Sequence, residues 1–181
     1  MSRNVNVVIL CEDRQHEVFA RRFLERAGSG HRILRVELSP KGRGSAEQFV
    51  RERFAKELAY YRARRNRVGQ ALIVLIDADG RDVTDRIRQV ESRCVEVGNE
   101  RRQAGERVAI FVPARNIETW FAYLGGQTVN ENDKYPRLER ERDCKQHVDC
   151  LYDMCQRGGL RQPSPPSLEA ACVEYHSRLQ S

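Results

Sequence analysis

The chain has 181 residues, of which 40% are hydrophobic and 32% charged, and it carries a formal net charge of +6. That length suits one domain with its own core and is short for two. No stretch approaches the roughly 20 apolar residues needed to cross a bilayer, so a helical membrane protein is excluded and a globular chain with a heavily ionised surface is expected.

Val5-Asn6-Val7-Val8-Ile9-Leu10 is a nearly continuous β-branched apolar run, the pattern of a strand buried on both faces. Residues 14 to 27 follow with Val18, Phe19, Phe23 and Leu24 on one helical face, and Gly28-Ser29-Gly30 stops that helix. A second strand fits Ile33 to Leu38. After the turn Ser39-Pro40-Lys41-Gly42-Arg43-Gly44, Ser45 is placed to cap a helix that runs to about Arg65. The third strand, Ala71 to Ile76, is the most apolar segment and stops abruptly at Asp77-Ala78-Asp79-Gly80. A polar helix over 83–103 and a fourth strand over 108–112 come next. Pro113 ends that strand, and residues 115–121 open a short helix that Asn116 is placed to cap.

Strands alternating with helices of this length imply right-handed crossovers and a parallel sheet. Beyond Gly125-Gly126 the chain turns polar. A helix over 138–157 precedes Gly158-Gly159 and a proline-rich linker, and a last helix over 168–179 has Ser167 as its expected cap. This part has too few apolar residues for a core of its own and reads as a helical extension packed on the same domain. The expected division is an α/β domain over 1–124 and the extension over 125–181.

The N-terminus enters a short apolar run without the longer apolar region or small-residue cleavage site of a signal peptide, so a cytoplasmic location is expected. There the six cysteines are expected as thiols. The basic excess favours a polyanion such as nucleic acid as partner. Self-association into a homo-oligomer stays open.

In open parallel sheets, ligands bind beyond the carboxyl ends of the strands. The unusual polar residues fall there: Glu12 after the first strand, Lys41 and Arg43 after the second, Asp77 and Asp79 after the third, and Arg115, Asn116 and Glu118 after the fourth. Acids gathered in one place need a cation or protons, and a hard divalent ion with oxygen ligands is the natural partner. Each residue also has a plainer reading. Glu12 and Glu118 favour helix N-termini, Asp77-Ala78-Asp79-Gly80 makes an ordinary turn, and Glu17 is an ordinary surface-helix acid. Trp120 and Phe121 suit a core. His16 is by default solvent-facing, with a role as base conceivable. Cys144, His147, Cys150 and Cys155 lie three, three and five apart on one predicted helix, which does not match the paired short-loop spacings of zinc modules.

A glutamate straight after the first strand, followed by an Asp-x-Asp pair after a later apolar strand, resembles the signature of TOPRIM domains over residues 5–121. Glu17, five residues after Glu12, and the Lys41-Gly42-Arg43-Gly44 loop are similar to features of the branch found in OLD nucleases and related phage-defence proteins. The chain departs from the family where Asp13 stands in place of the usual glycine, as an added ligand or a turn residue.

The resemblance implies a Rossmann-like TOPRIM fold with a four-stranded, mainly parallel sheet. It implies Mg²⁺ or Mn²⁺ on Glu12, Asp77 and Asp79, with Glu17 and Glu118 completing a second metal position or orienting water. Lys41, Arg43, Arg81 and Arg115 would neutralise phosphate. The implied activity is a metal-dependent nuclease acting on DNA or RNA, in phage defence or repair. The alternative is a TOPRIM-like non-catalytic subunit acting beside a partner such as an ATPase. A phosphotransfer or phosphohydrolase site for a small phosphate ester would use the same acids.

Overall fold

The computed structural model describes residues 5–28, 30–42 and 44–180. Four strands form one sheet in the order β2-β1-β3-β4: β1 Val5–Cys11, β2 His31–Leu38, β3 Gln70–Leu75 and β4 Val108–Phe111. Every neighbouring pair is parallel. The two central strands are the apolar runs of the sequence, and Val7, Ile9, Leu10, Leu72, Val74 and Leu75 are essentially inaccessible to solvent. β2 is an edge strand with a register shift against β1. Val7 pairs with Ile33 but Val8 with Arg35, so Leu34 is left over. Such a bulge blunts an edge against further pairing.

Among the described residues, six α-helices flank the sheet: α1 Arg14–Ala27, α2 Ala46–Arg64, α3 Val83–Glu96, α4 Ile117–Leu124, α5 Lys145–Arg157 and α6 Pro166–Leu179. α2 and α3 cover one face, where Val50, Phe54, Leu58, Val90 and Cys94 pack on Leu10, Leu72, Val74 and Ile110. α1, α4, α5 and α6 cover the other, and Leu151, Leu168, Tyr175 and Leu179 share one core with Val7, Ile9, Ile73, Phe19 and Trp120. The helices after residue 125 therefore bury their apolar faces in the core of the sheet itself. Trp120 and Phe121 belong to that core, at 1% and 3% exposure.

Besides shifts of one or two residues at β2, β3, β4 and α4, three helix boundaries differ from those expected. α3 stops at Glu96 instead of running to 103, because Gly98 takes φ 79° and its N–H, with that of Asn99, returns to the carbonyls of Val95 and Cys94. Residues 138–144 are not α-helical; a 3-10 turn, Glu141–Cys144, leads into α5. α6 starts at Pro166, where proline's missing N–H costs nothing. Ser167 lies inside the helix, and its hydroxyl accepts from Trp120 Nε1 at 2.8 Å and donates to Glu131. Glu131 also accepts from the Ser167 backbone N–H at 3.0 Å, so the cap at this end is a glutamate from a distant loop. Ser45 caps α2 as expected, its Oγ accepting from Gln48 N at 3.0 Å. Among the described residues, no helix is long and apolar enough to cross a membrane.

Candidate functional site

β1 and β3 are adjacent, parallel and in register, with Cys11 opposite Leu75. The residues that follow each strand therefore leave the sheet at the same edge. Glu12 is the first beyond β1 and Asp77 the second beyond β3, and Glu12 Oε1 accepts the backbone N–H of Asp77 at 2.8 Å. Burial raises the Glu12 carboxyl, and the Asp77 charge raises it further. His16 and the Asp77 N–H pull the other way, and the balance leaves it at about 7. An acid held at neutrality by burial and a second acid is the electrostatic mark of a functional site.

Asp13 resolves as a turn residue. It is the N-cap of α1, with Oδ1 accepting from His16 N at 2.9 Å. That cap places His16 in the first turn of α1, facing the sheet, and the ring is wholly buried instead of solvent-facing. Its Nε2 lies 3.1 Å from Asp77 Oδ1. Nδ1 is also buried and has no hydrogen-bond partner among the described residues. Burial favours the neutral ring, but Asp77 (by charge and hydrogen bond), Asp13 and Glu12 outweigh it and raise the imidazole to about 9. His16 is thus an imidazolium at neutral pH, a counter-ion to Asp77 and not a base.

Asp79 sits on a left-handed turn, with φ 54° at Asp79 and 80° at Gly80. A non-glycine residue there is sparsely populated and held by its surroundings. The holder is Arg86, 1% exposed, in the first turns of α3. Its Nη2 donates to Ala78 O at 3.2 Å and to Asp79 Oδ2 at 3.3 Å, while Nη1 donates to Gln89 Oε1 and to the Glu47 carboxylate of α2. The backbone ladder continues past the strands, Ala78 N to Pro113 O at 2.8 Å and Gly80 N to Ala114 O at 2.9 Å. The Asp-x-Asp loop is thereby fixed against the loop that follows β4. Burial and the Asp77 charge push Asp79 upward, with Arg86 opposing, yet its side chain is 61% exposed.

The remaining acids have arginine partners. Glu17, 4% exposed, is gripped by Arg14 at 2.5 Å and Arg21 at 2.8 Å. Burial would raise its carboxyl, but the two guanidiniums hold it below the usual carboxylate range. Glu118, also 4% exposed, accepts from Arg137 Nε at 3.1 Å, and Arg137 Nη2 reaches Asp13 Oδ2 at 3.4 Å. Arg137 thus ties the start of α4 to the start of α1. Asn116 is the N-cap residue of α4 but its side chain makes no capping bond; Oδ1 is buried and unpartnered among the described residues.

The acids therefore share one rim but do not converge as a set. Glu12 and Asp77 are in contact, Asp79 is turned to Arg86, and Glu17 and Glu118 are bound to arginines. Among the described residues, no group of three or more His, Cys, Asp or Glu side chains is arranged to hold a metal ion. That holds equally for Cys144, His147, Cys150 and Cys155. The donor chemistry at Glu12 and Asp77 still fits a hard cation, since two half-buried carboxylates with one oxygen each uncommitted repel one another.

Of the basic residues, Lys41 and Arg81 are exposed, and Arg115 Nη1 donates to Asn132 O at 2.8 Å. Arg43 lies outside the described residues. A groove of about 500 Å³ runs beside the Asp-x-Asp loop, between Gly80–Thr84, Ala114, Glu131–Asn132 and the start of α6. His16 as counter-ion, Arg86 and Arg137 were not legible as site residues. The one signal for His16 was its place three residues after a capping aspartate.

Comparison with protein-family models, with curated proteins and with solved structures found no match.

Proposed function

We propose that this chain is a TOPRIM-type nuclease that hydrolyses phosphodiesters of DNA or RNA with Mg²⁺ or Mn²⁺. The observation that carries the reading is the Glu12–Asp77 contact at the carboxyl edge of the two central strands, with Glu12 raised to about 7. Glu12 and Asp77 would hold the cation, with Asp79 as the third ligand. A bound divalent ion supplies Lewis acidity and lowers the pKa of a water nucleophile.

The other residues set up that site. His16 fixes one oxygen of Asp77, leaving the second uncommitted. Arg86 fixes the turn that presents Asp79. Asp13 and Arg137 hold the starts of α1 and α4 together at the rim. Lys41, Arg81 and Arg115 would supply positive charge for phosphate on the loops around it. A setting in phage defence or repair rests on the motif resemblance alone.

The test is cleavage of plasmid DNA and of labelled single-stranded DNA and RNA by the purified chain with Mg²⁺ or Mn²⁺. Glu12→Ala and Asp77→Ala are expected to abolish it, and undiminished cleavage in both would refute the site. A second reading is favoured by a specific observation: both aspartates already have internal cations, His16 and Arg86. A non-catalytic TOPRIM-like subunit, acting beside a partner such as an ATPase, would need no more than that. Wild-type protein that neither cleaves nor binds Mn²⁺ supports this second reading.

A further inference from the structure

The feature that neither reading uses is a pair of cysteines between the last two helices. Cys155 near the end of α5 and Cys172 within α6 place their sulfurs 3.1 Å apart. Both are free thiols and half-buried. Cys11, Cys94 and Cys144 are fully buried, and among the described residues no other two sulfurs are recorded in contact. We propose that Cys155 and Cys172 are an oxidation site for small hydroperoxides, closing to a reversible disulfide that fastens α6 to α5.

The contact is too short for two indifferent thiols and suits a donor and an acceptor. Either sulfur can be the donor; with Cys172 donating, the bond favours thiolate at Cys155 and thiol at Cys172. In that arrangement Cys155 is the attacking sulfur and Cys172 the resolving one. The Cys155 thiolate attacks the terminal oxygen of the hydroperoxide and the O–O bond breaks, giving a sulfenic acid and an alkoxide, or hydroxide when the oxidant is hydrogen peroxide. The Cys172 sulfur then attacks the sulfenic sulfur. The S–S bond forms, and the leaving hydroxide departs as water with the Cys172 proton. With hydrogen peroxide, two thiols lose two electrons and two protons, and the oxidant becomes two waters.

The place of the pair gives the bond a structural effect. A cavity of about 40 Å³ lies against both sulfurs and is lined also by Phe23, Leu151, Ala171 and Tyr175. Phe23 of α1 meets the Tyr175 ring edge-on at 4.8 Å, so α1, α5 and α6 meet at this point. A disulfide there closes the chain across the Gly158-Gly159 turn and the proline-rich linker, removing freedom from the unfolded state. A loop of this size corresponds to a rise in Tm of roughly 6–12 °C for a chain of this length.

The experiment treats the reduced wild-type protein with hydrogen peroxide, alkylates remaining thiols under denaturing conditions and maps the tryptic peptides. The expected product is a linked pair of peptides whose fragments place the bond between Cys155 and Cys172. The other four cysteines are alkylated, the bond is reversed by dithiothreitol, and Tm rises as above. A Cys172→Ser variant is expected to show neither the link nor the Tm rise. If that variant fails to fold, the wild-type map decides alone. Six alkylated cysteines after peroxide would overturn the proposal. So would a bond through Cys150, a link between two chains, or Cys155 carried to sulfinic acid without a link.

Discussion

His16→Gln isolates the charge that the fold has placed under Asp77. Glutamine keeps a side-chain amide donor toward the carboxylate and removes the titrating ring. With the imidazole raised from 6.5 to about 9 in the folded protein, His16⁺ contributes about 3 kcal/mol of stability. Because the folded value lies above the unfolded one, that contribution is fully present below pH 6.5 and is lost as pH rises through 9. The assay is urea unfolding followed by circular dichroism, without divalent metal, at intervals from about pH 6 to pH 9.

Both proteins also lose stability on the alkaline side for another reason. Burial pushes Cys94 and Cys144 up to about 11 and raises Cys11 as well, while the same thiols ionise near pH 8.5 once unfolded. The difference between wild type and variant cancels this. That difference is expected to shrink by roughly 2.5 kcal/mol between pH 6.5 and pH 9. A difference that stays flat over this range, or grows with pH, would refute the assignment of His16 as the counter-ion of Asp77.

Glu12→Gln keeps an acceptor for the Asp77 N–H and removes a charge whose folded pKa of about 7 lies above its ordinary value of 4.5. The wild-type carboxyl loses stability as pH rises from 4.5 through 7, so near pH 8 the metal-free variant is expected to gain up to about 3 kcal/mol. The same variant loses any Mn²⁺-induced rise in Tm, both readings coming from one thermal-shift experiment. Arg86→Met removes the buried guanidinium that Asp79 and Glu47 share, while the Ala78 carbonyl keeps the Arg81 N–H and Glu47 keeps Arg51, and is expected to cost about 1–3 kcal/mol in urea unfolding. Ser167→Ala removes the acceptor of Trp120 Nε1 and a donor to Glu131, at about 1–3 kcal/mol. Trp120 is the one tryptophan of the chain, so a shift in its emission reports that change directly.

The sheet was legible because its two central strands are apolar runs that end abruptly in acids. The Val5–Leu10 and Ala71–Ile76 runs gave the strands, their parallel order, and the shared edge for Glu12 and Asp77. Local chemistry was less readable where a distant residue supplies it. The α6 cap is Glu131, thirty-six positions from Ser167, and no local pattern announces it. Arg86 and Arg137 are two basic residues among 32, and nothing in their immediate sequence marks one as buried under Asp79 or the other as a tie between α1 and α4. Asn116 occupies the expected cap position but its side chain makes no capping bond, since composition fixes the residue but not the rotamer. The expectation of three converging acids failed in part for the same reason. Spacing puts Asp79 at the rim, but the left-handed turn and Arg86 decide where its carboxylate goes.

The central claim is that Glu12 and Asp77 form a divalent-cation site, and a crystal soaked in Mn²⁺ and measured at the manganese absorption edge tests it most directly. The account predicts an anomalous peak within coordination distance of both carboxylates, with Asp79 drawn from Arg86 toward it. Full-occupancy manganese bound elsewhere, or no peak while Glu12 still accepts the Asp77 N–H and His16 still holds Asp77, would contradict it.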